Sequence, residues 1–345
     1  MANKAVIKIR AKQFNQLETP VDLAALVRRE PHKLSYLALH PKYYIYKIPK
    51  PKGGERLIED PHTNLKKVQR VLNEHLQAAY CLIRPRCVYG FTQTYGKEEE
   101  RTILGNARQH LGCSYLLNID LKDFFHQVDT DWLVRILKYH FDSLNAETID
   151  LLVRLLSFKG RLPMGAPTSP VLSNYASIEM DEGLLMYCEG SGLNYTRYAD
   201  DLSFSSLHPI ERMDFENICQ FINHSGFRIN EQKIKWYDNK MTKQITGICL
   251  AKDFLFLEPS YLGTLRKEIN RYTAFLEVES RYHTGFSLKK LVQFEQELRG
   301  KLNFAQMVMP DDLSVGQMQY DFENARQILE DYESVHWLEI PYGLF

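Results

Sequence analysis

The chain has 345 residues, 44% of them hydrophobic and 25% charged, an ordinary globular composition that excludes disorder and allows two or three domains with sizeable cores. Its 43 Lys and Arg balance 43 Asp and Glu, which argues against indiscriminate nucleic-acid binding, and its six cysteines form no CxxC pair, which argues against a zinc site or a disulfide framework. No run nears the roughly 18 apolar residues of a membrane span, and Lys4, Lys8, Arg10 and Lys12 lead into no signal-peptide core, so a cytoplasmic protein without a membrane partner is expected.

The zero average hides a gradient. Residues 1–56 hold twelve Lys and Arg against four acids, whereas residues 306–345 hold eight acids against Arg326 alone. In chain order, the spacing predicts a helix over 21–40, then the aromatic strand Tyr43-Tyr44-Ile45-Tyr46-Lys47-Ile48-Pro49. A basic turn, Lys50-Pro51-Lys52-Gly53-Gly54, leads into a returning strand at Arg56-Leu57-Ile58. Leu65, Val68, Val71, Leu72, His75 and Leu76 have helical spacing over 64–80. Tyr115-Leu116-Leu117-Asn118-Ile119 reads as a strand ending at Asp120, and helices follow over 131–140 and 146–157.

Next comes Gly160-Arg161-Leu162-Pro163-Met164-Gly165-Ala166-Pro167-Thr168-Ser169-Pro170. Ser169 is expected as an N-cap and Pro170 as the first residue of a helix running toward Gly190. A hairpin then carries Tyr198-Ala199-Asp200-Asp201, followed by a helix over 210–224 and a strand at Phe227-Arg228-Ile229. Strand, helix, hairpin, helix, strand is the order of a split βαβ, ferredoxin-like layer, in which the first strand lies beside the hairpin. Beyond 259 the pattern is helical: Leu262, Leu265, Ile269, Tyr272 and Leu276 step by three and four, and further helices are expected over 287–303 and 320–335.

Adjacent Asp200 and Asp201 concentrate negative charge at a hairpin tip, and the ferredoxin-like order brings Asp120 to them. Like charges this close repel unless cations neutralise them, and hard carboxylate oxygens suit magnesium. Three carboxylates for two metals is the pattern of phosphoryl transfer, in which one ion activates a hydroxyl and the other steadies pyrophosphate.

These motifs in this order resemble the reverse transcriptases over most of the chain. Ile48 to Arg70 is similar to the first fingers motif, Asp120-Leu121-Lys122-Asp123-Phe124-Phe125 to motif A, Leu162 to Pro170 to motif B, and Tyr198 to Asp201 to the YxDD motif. Within that family the chain most resembles the bacterial retron enzymes. Asn106-Ala107-Arg108-Gln109-His110 matches their NAxxH element, and Ile245-Thr246-Gly247 is close to their VTG element.

The resemblance implies an α+β right-hand polymerase with fingers, a ferredoxin-like palm and a helical thumb. Residues 1–34 would form a basic helical extension, 35–112 the fingers, 113–258 the palm with a fingers segment around 130–165, and 259–345 the thumb and acidic C-terminal stretch. Asp120, the Leu121 backbone carbonyl and Asp200 would bind two Mg2+ ions, or Mn2+ in their place, with Asp201 in support. Phe125 would be the steric gate against a ribose 2′-OH. Lys50, Lys52 and Arg56 would meet the dNTP triphosphate, Gly165 would admit the nascent base pair, and Lys233 would be the general acid for pyrophosphate. Met164 stands where many reverse transcriptases carry Gln. Asn106, His110, Thr246 and Gly247 would hold RNA, and Arg266, Lys267 and Arg271 would follow a nucleic-acid backbone.

The function implied is that of a retron RNA-directed DNA polymerase. It would copy a structured noncoding RNA, from a guanosine 2′-OH, into branched RNA-linked single-stranded DNA, beside an effector protein in antiphage defence. No room is expected after the thumb for an RNase H or endonuclease domain. The alternatives are a group II intron-like or abortive-infection reverse transcriptase, or a non-catalytic scaffold for RNA or an effector. Three retained, repelling acids disfavour the scaffold.

Overall fold

The computed structural model describes residues 4–50, 53–94, 100–282 and 288–338. The chain divides into two compact units, Met1–Met241 and Thr242–Phe345. The divide falls ahead of the last short strands, whereas the sequence pattern changes at 259.

The first unit opens with three helices, α1 (Lys4–Asn15), α2 (Pro20–Leu26) and α3 (Pro31–Leu39). The single helix expected over 21–40 is thus two. Arg28 takes a φ of +53°, and Pro31, with no amide hydrogen to donate, starts a new helix. The antiparallel hairpin β1 (Tyr43–Pro49) and β2 (Glu55–Pro61) follows, paired from Tyr43↔Pro61 to Pro49↔Glu55, with β1 exposed along most of its length. Helix α4 (Thr63–Ile83) buries Leu65, Val68, Leu72 and Leu76, and packs on α1 through Ile7, Ala11 and Phe14.

Helix α5 (Ile103–Arg108) precedes strand β3 (Tyr115–Asp120), and α6 (Thr130–His140) and α7 (Ala146–Leu156) follow, capped by Asp129 and Asn145. The long helix expected after motif B is α8 (Ser169–Ala176) and α9 (Ile178–Ser191), broken at Ser177. The Ser173 and Ser177 hydroxyls donate back to the Pro170 and Ser173 carbonyls, a pattern that bends helices. The N-cap position is Thr168; Ser169 is already helical because its hydroxyl is taken by the Pro163 carbonyl, at 2.7 Å.

Strands β4 (Asn194–Tyr198) and β5 (Asp201–Ser206), helix α10 (Arg212–His224) and strand β6 (Lys235–Tyr237) complete the unit. Phe227–Ile229 is not a strand: only Ile229 makes an isolated bridge, to Leu121, and the fourth strand is β6. The sheet order is β4-β5-β3-β6, all antiparallel. Each strand pair in that order is the ferredoxin-like arrangement, with one continuous apolar core from Ile7 to Phe227.

The second unit has a small antiparallel sheet, β7 (Lys243–Ile245), β8 (Ile248–Leu250) and β9 (Leu255–Phe256), and three helices, α11 (Pro259–Tyr282), α12 (Leu288–Val308) and α13 (Leu313–Leu338). Leu265, Ile269, Tyr272, Leu298, Leu302 and Phe322 form its interior. Among the described residues no helix is long and apolar enough to cross a membrane.

Candidate active site

Antiparallel pairing of β3 with β5 sets Asp120 opposite Asp201. Asp200 lies beside them in the two-residue turn between β4 and β5. Ala199, the first turn residue, has a φ of +58°, as a type II′ hairpin demands of a position that usually falls to glycine. The Leu121 amide donates to the Asp200 carbonyl at 2.9 Å, tying the turn to the strand end of β3. Gly90 backs the turn: a Cβ there would stand 2.3 Å from the Ala199 nitrogen.

Three carboxylates therefore meet at one end of the two central strands. Burial, then the charge of Asp120, raises the Asp200 carboxyl above its ordinary range. For Asp201, burial and then the charges of Asp200 and Asp120 push it up to about 7. Lys233 answers part of this charge, its ammonium lying 2.9 and 2.8 Å from the two Asp120 carboxylate oxygens. Partial burial opposes that ammonium, but the hydrogen bond and charge of Asp120 outweigh it and hold the lysine charged. Asn230 adds a side-chain donor at 3.0 Å to Asp120 and a backbone donor to its carbonyl.

Among the described residues, no group of three or more acid, His or Cys side chains is spaced to hold a metal ion. The donor chemistry nonetheless suits a hard divalent cation, since the acids are converged, desolvated and short of positive charge. Lys233 is bonded directly to Asp120, so a metal held there would compete with it.

Phe125 lies in the 3₁₀ turn Phe124–Gln127 just past Asp120, half-buried, in ring contact with both Phe124 and Phe91. Gly165 sits at a φ of +126°, where its missing Cβ would come within 3.0 Å of the Glu59 carbonyl; only glycine suits both the angle and the approach. Beside it the Glu59 amide donates to the Met164 carbonyl at 2.7 Å, so the motif B loop runs along β2. Lys50 and Arg56 are exposed on the β1–β2 hairpin, and the charge of Arg56 reaches Asp200. Lys52 lies outside the described residues.

Asn106 and His110 do not face outward. Both are about 1% exposed, and His110 joins Ser205 of β5 at 2.6 Å to Thr196 of β4 at 2.7 Å. Burial lowers the His110 ring to about 3, so it is neutral. The His110 ring thus ties the two strands together from inside, whereas the buried side-chain oxygen and nitrogen of Asn106 have no hydrogen-bond partner among the described residues. In the second unit Thr246 and Gly247, at φ +48° and +89°, form the two-residue turn between β7 and β8. Arg266 spans α11 and α13, bonded to Asp321 at 2.5 Å and to the Ser314 carbonyl, whereas Lys267 and Arg271 are exposed.

Behind the Ala199–Asp200 turn stands a buried frame that the sequence pattern did not disclose. Arg197, fully buried, is paired with the equally buried Asp181 at 2.6 Å, and its Nη1 donates to the Ala199 carbonyl at 2.9 Å and to Asn174 Oδ1 at 3.0 Å. The signal was an arginine within the strand Asn194–Tyr198, whose charge demands an interior partner once the strand is buried. A second clamp joins the hairpin to the motif B loop: Glu59, also fully buried, takes a two-pronged bond from Arg161 at 2.7 and 3.0 Å.

The family described as reverse transcriptase (RNA-dependent DNA polymerase) matches residues 48–255, more than half of the chain. Three Escherichia coli proteins are similar. The retron Ec86 reverse transcriptase is 29% identical over 61% of this chain and 64% of its own length. For the retron Ec83 reverse transcriptase the figures are 28%, 78% and 83%. For the retron Ec73 reverse transcriptase they are 31%, 60% and 68%.

Proposed function

The chain belongs to the reverse transcriptase family, in its retron type, and from that premise we propose that it copies a cognate noncoding RNA into DNA by phosphoryl transfer at Asp120, Asp200 and Asp201. The observation that carries this reading is the register of β3 against β5, which sets Asp120 opposite Asp201, 81 residues on, at one end of the two central strands. Magnesium ions, held by Asp120, the Leu121 carbonyl and Asp200 with Asp201 in support, would supply the charge that activates a 3′-OH and steadies the departing pyrophosphate.

The protein's own groups do the rest. Arg56 and Lys50 meet the triphosphate at the mouth of the hairpin, and Phe125 excludes a ribose 2′-OH. Gly165 leaves room for the nascent base pair. Lys233, held charged by Asp120, would give its proton to the leaving pyrophosphate. In this reading the first unit supplies fingers and palm and the second a thumb. The product is a branched RNA-linked DNA begun from a guanosine 2′-OH, and an effector protein works with it in defence against phage.

Two measurements test the proposal. Nucleic acid co-purified with the protein should run as a joined RNA-DNA species, shortened by RNase and by DNase separately; free RNA alone would sink the retron product. Asp200→Asn should abolish magnesium-dependent dNTP incorporation while RNA binding survives. Undiminished synthesis by that variant would remove Asp200 from the site.

A further inference from the structure

We infer that Phe91 is a positioning residue for sugar selection, its ring acting as the back-stop of Phe125. The inference rests on the reading of Phe125 as the gate. A gate discriminates only if its ring cannot swing aside when a 2′-OH presses on it, so the question is what fixes Phe125. One neighbour is Phe124, with ring centroids 5.8 Å apart, itself packed on Phe227 in the core. A second is Phe91, at 5.7 Å and 35°.

Phe91 is held in a costly backbone conformation. Its φ is +55°, in the left-handed region that a bulky side chain avoids, and such strain persists only where the surroundings over-determine it. Here they do. The Phe91 carbonyl accepts from two side-chain amides, Gln77 of α4 at 3.0 Å and Asn174 of α8 at 3.1 Å, and Asn174 also bonds the Gly90 carbonyl. Upstream, Cys87 and Tyr89 are bonded through their backbones to Arg197 on β4, and Gly90 abuts the Ala199 amide. Residues 87–91 form a rail fixed to the β4–β5 hairpin at one end and delivering an aromatic ring onto Phe125 at the other. A turn alone would be served better by glycine at this φ, so the strain points to the ring as the group retained.

Phe91→Gly is the decisive variant, because glycine suits the backbone angle and removes only the ring. With a DNA primer on an RNA template, the ratio of kcat/KM for a dNTP to that for the matching rNTP should fall roughly ten-fold, the loss expected when a pocket wall gives way. Phe91→Tyr, which keeps the ring, should retain the wild-type ratio. Phe125→Ala is measured alongside. If it loses discrimination while Phe91→Gly keeps it, or if Phe91→Gly slows both nucleotides equally, the back-stop is overturned and the gate stands. If Phe125→Ala itself keeps the wild-type ratio, the gate reading falls and the back-stop with it.

Discussion

Burial and the charges of Asp200 and Asp120 push the Asp201 carboxyl from its ordinary 3.8 up to about 7, and this has a consequence for folding. A carboxyl with a raised folded pKa binds its proton more tightly in the folded chain than in the unfolded one, so the contribution of Asp201 to stability is greatest below about pH 4 and falls as pH rises toward 7. Above 7 the penalty is complete, at most about 4 kcal/mol for a displacement of this size. Asp201→Asn should therefore unfold at higher denaturant than the wild type at pH 8 in EDTA, and the advantage should shrink away by pH 4. Magnesium should close the gap at pH 8 by stabilising the wild type. Parallel pH profiles for the two proteins would show that Asp201 is not held under repulsion.

The Ala199–Asp200 turn is held from behind by an ion pair that never meets solvent. Arg197→Met alone should cost about 3–5 kcal/mol in urea unfolding, because it strands a buried Asp181 charge. The double variant Arg197→Met/Asp181→Leu should recover much of that loss yet still lack the donor to the Ala199 carbonyl, so kcat should stay low after stability returns. A double variant with wild-type kcat would reduce Arg197 to a structural part. The same contrast explains what could be read from the chain alone. Strand β3, the hairpin and α4 were legible because their apolar patterns are local and long, and Asp200 and Asp201 because they are adjacent. The fourth strand was misplaced because β6 has three residues and three pairings, whereas Phe227 is apolar for another reason, its packing on Trp132 and Phe124. Asn230, Asp181, Gly90 and Phe91 were invisible as site residues because their partners lie 16 to 110 positions away or are backbone atoms. The burial of Asn106 and His110 was equally illegible, because a short motif of polar residues does not say whether its side chains face solvent or the interior.

For the whole molecule, a formal charge of zero means that attraction to RNA cannot come from a general positive field and must be local. The second unit shows how the charges are used. Arg266, Lys301, Arg299 and Arg326 are committed to Asp321, Glu268, Glu295 and Glu323, so their charge is spent inside the helical bundle. Lys267 and Arg271 are exposed on α11, and no acid is paired with either among the described residues. If this helix follows a phosphate backbone, the double variant Lys267→Ala/Arg271→Ala should weaken RNA binding and flatten its salt dependence. Each lost phosphate contact should lower the slope of log K against log salt by about 0.7–0.9, so the pair should remove roughly 1.5. Arg266→Ala should instead lower thermal stability and leave that slope unchanged, since its guanidinium bridges α11 to α13. Filter binding from low to high salt reads the difference: an unchanged slope in the double variant would move the RNA track off this helix, and a lowered slope in Arg266→Ala would place it beneath a residue now assigned to the bundle.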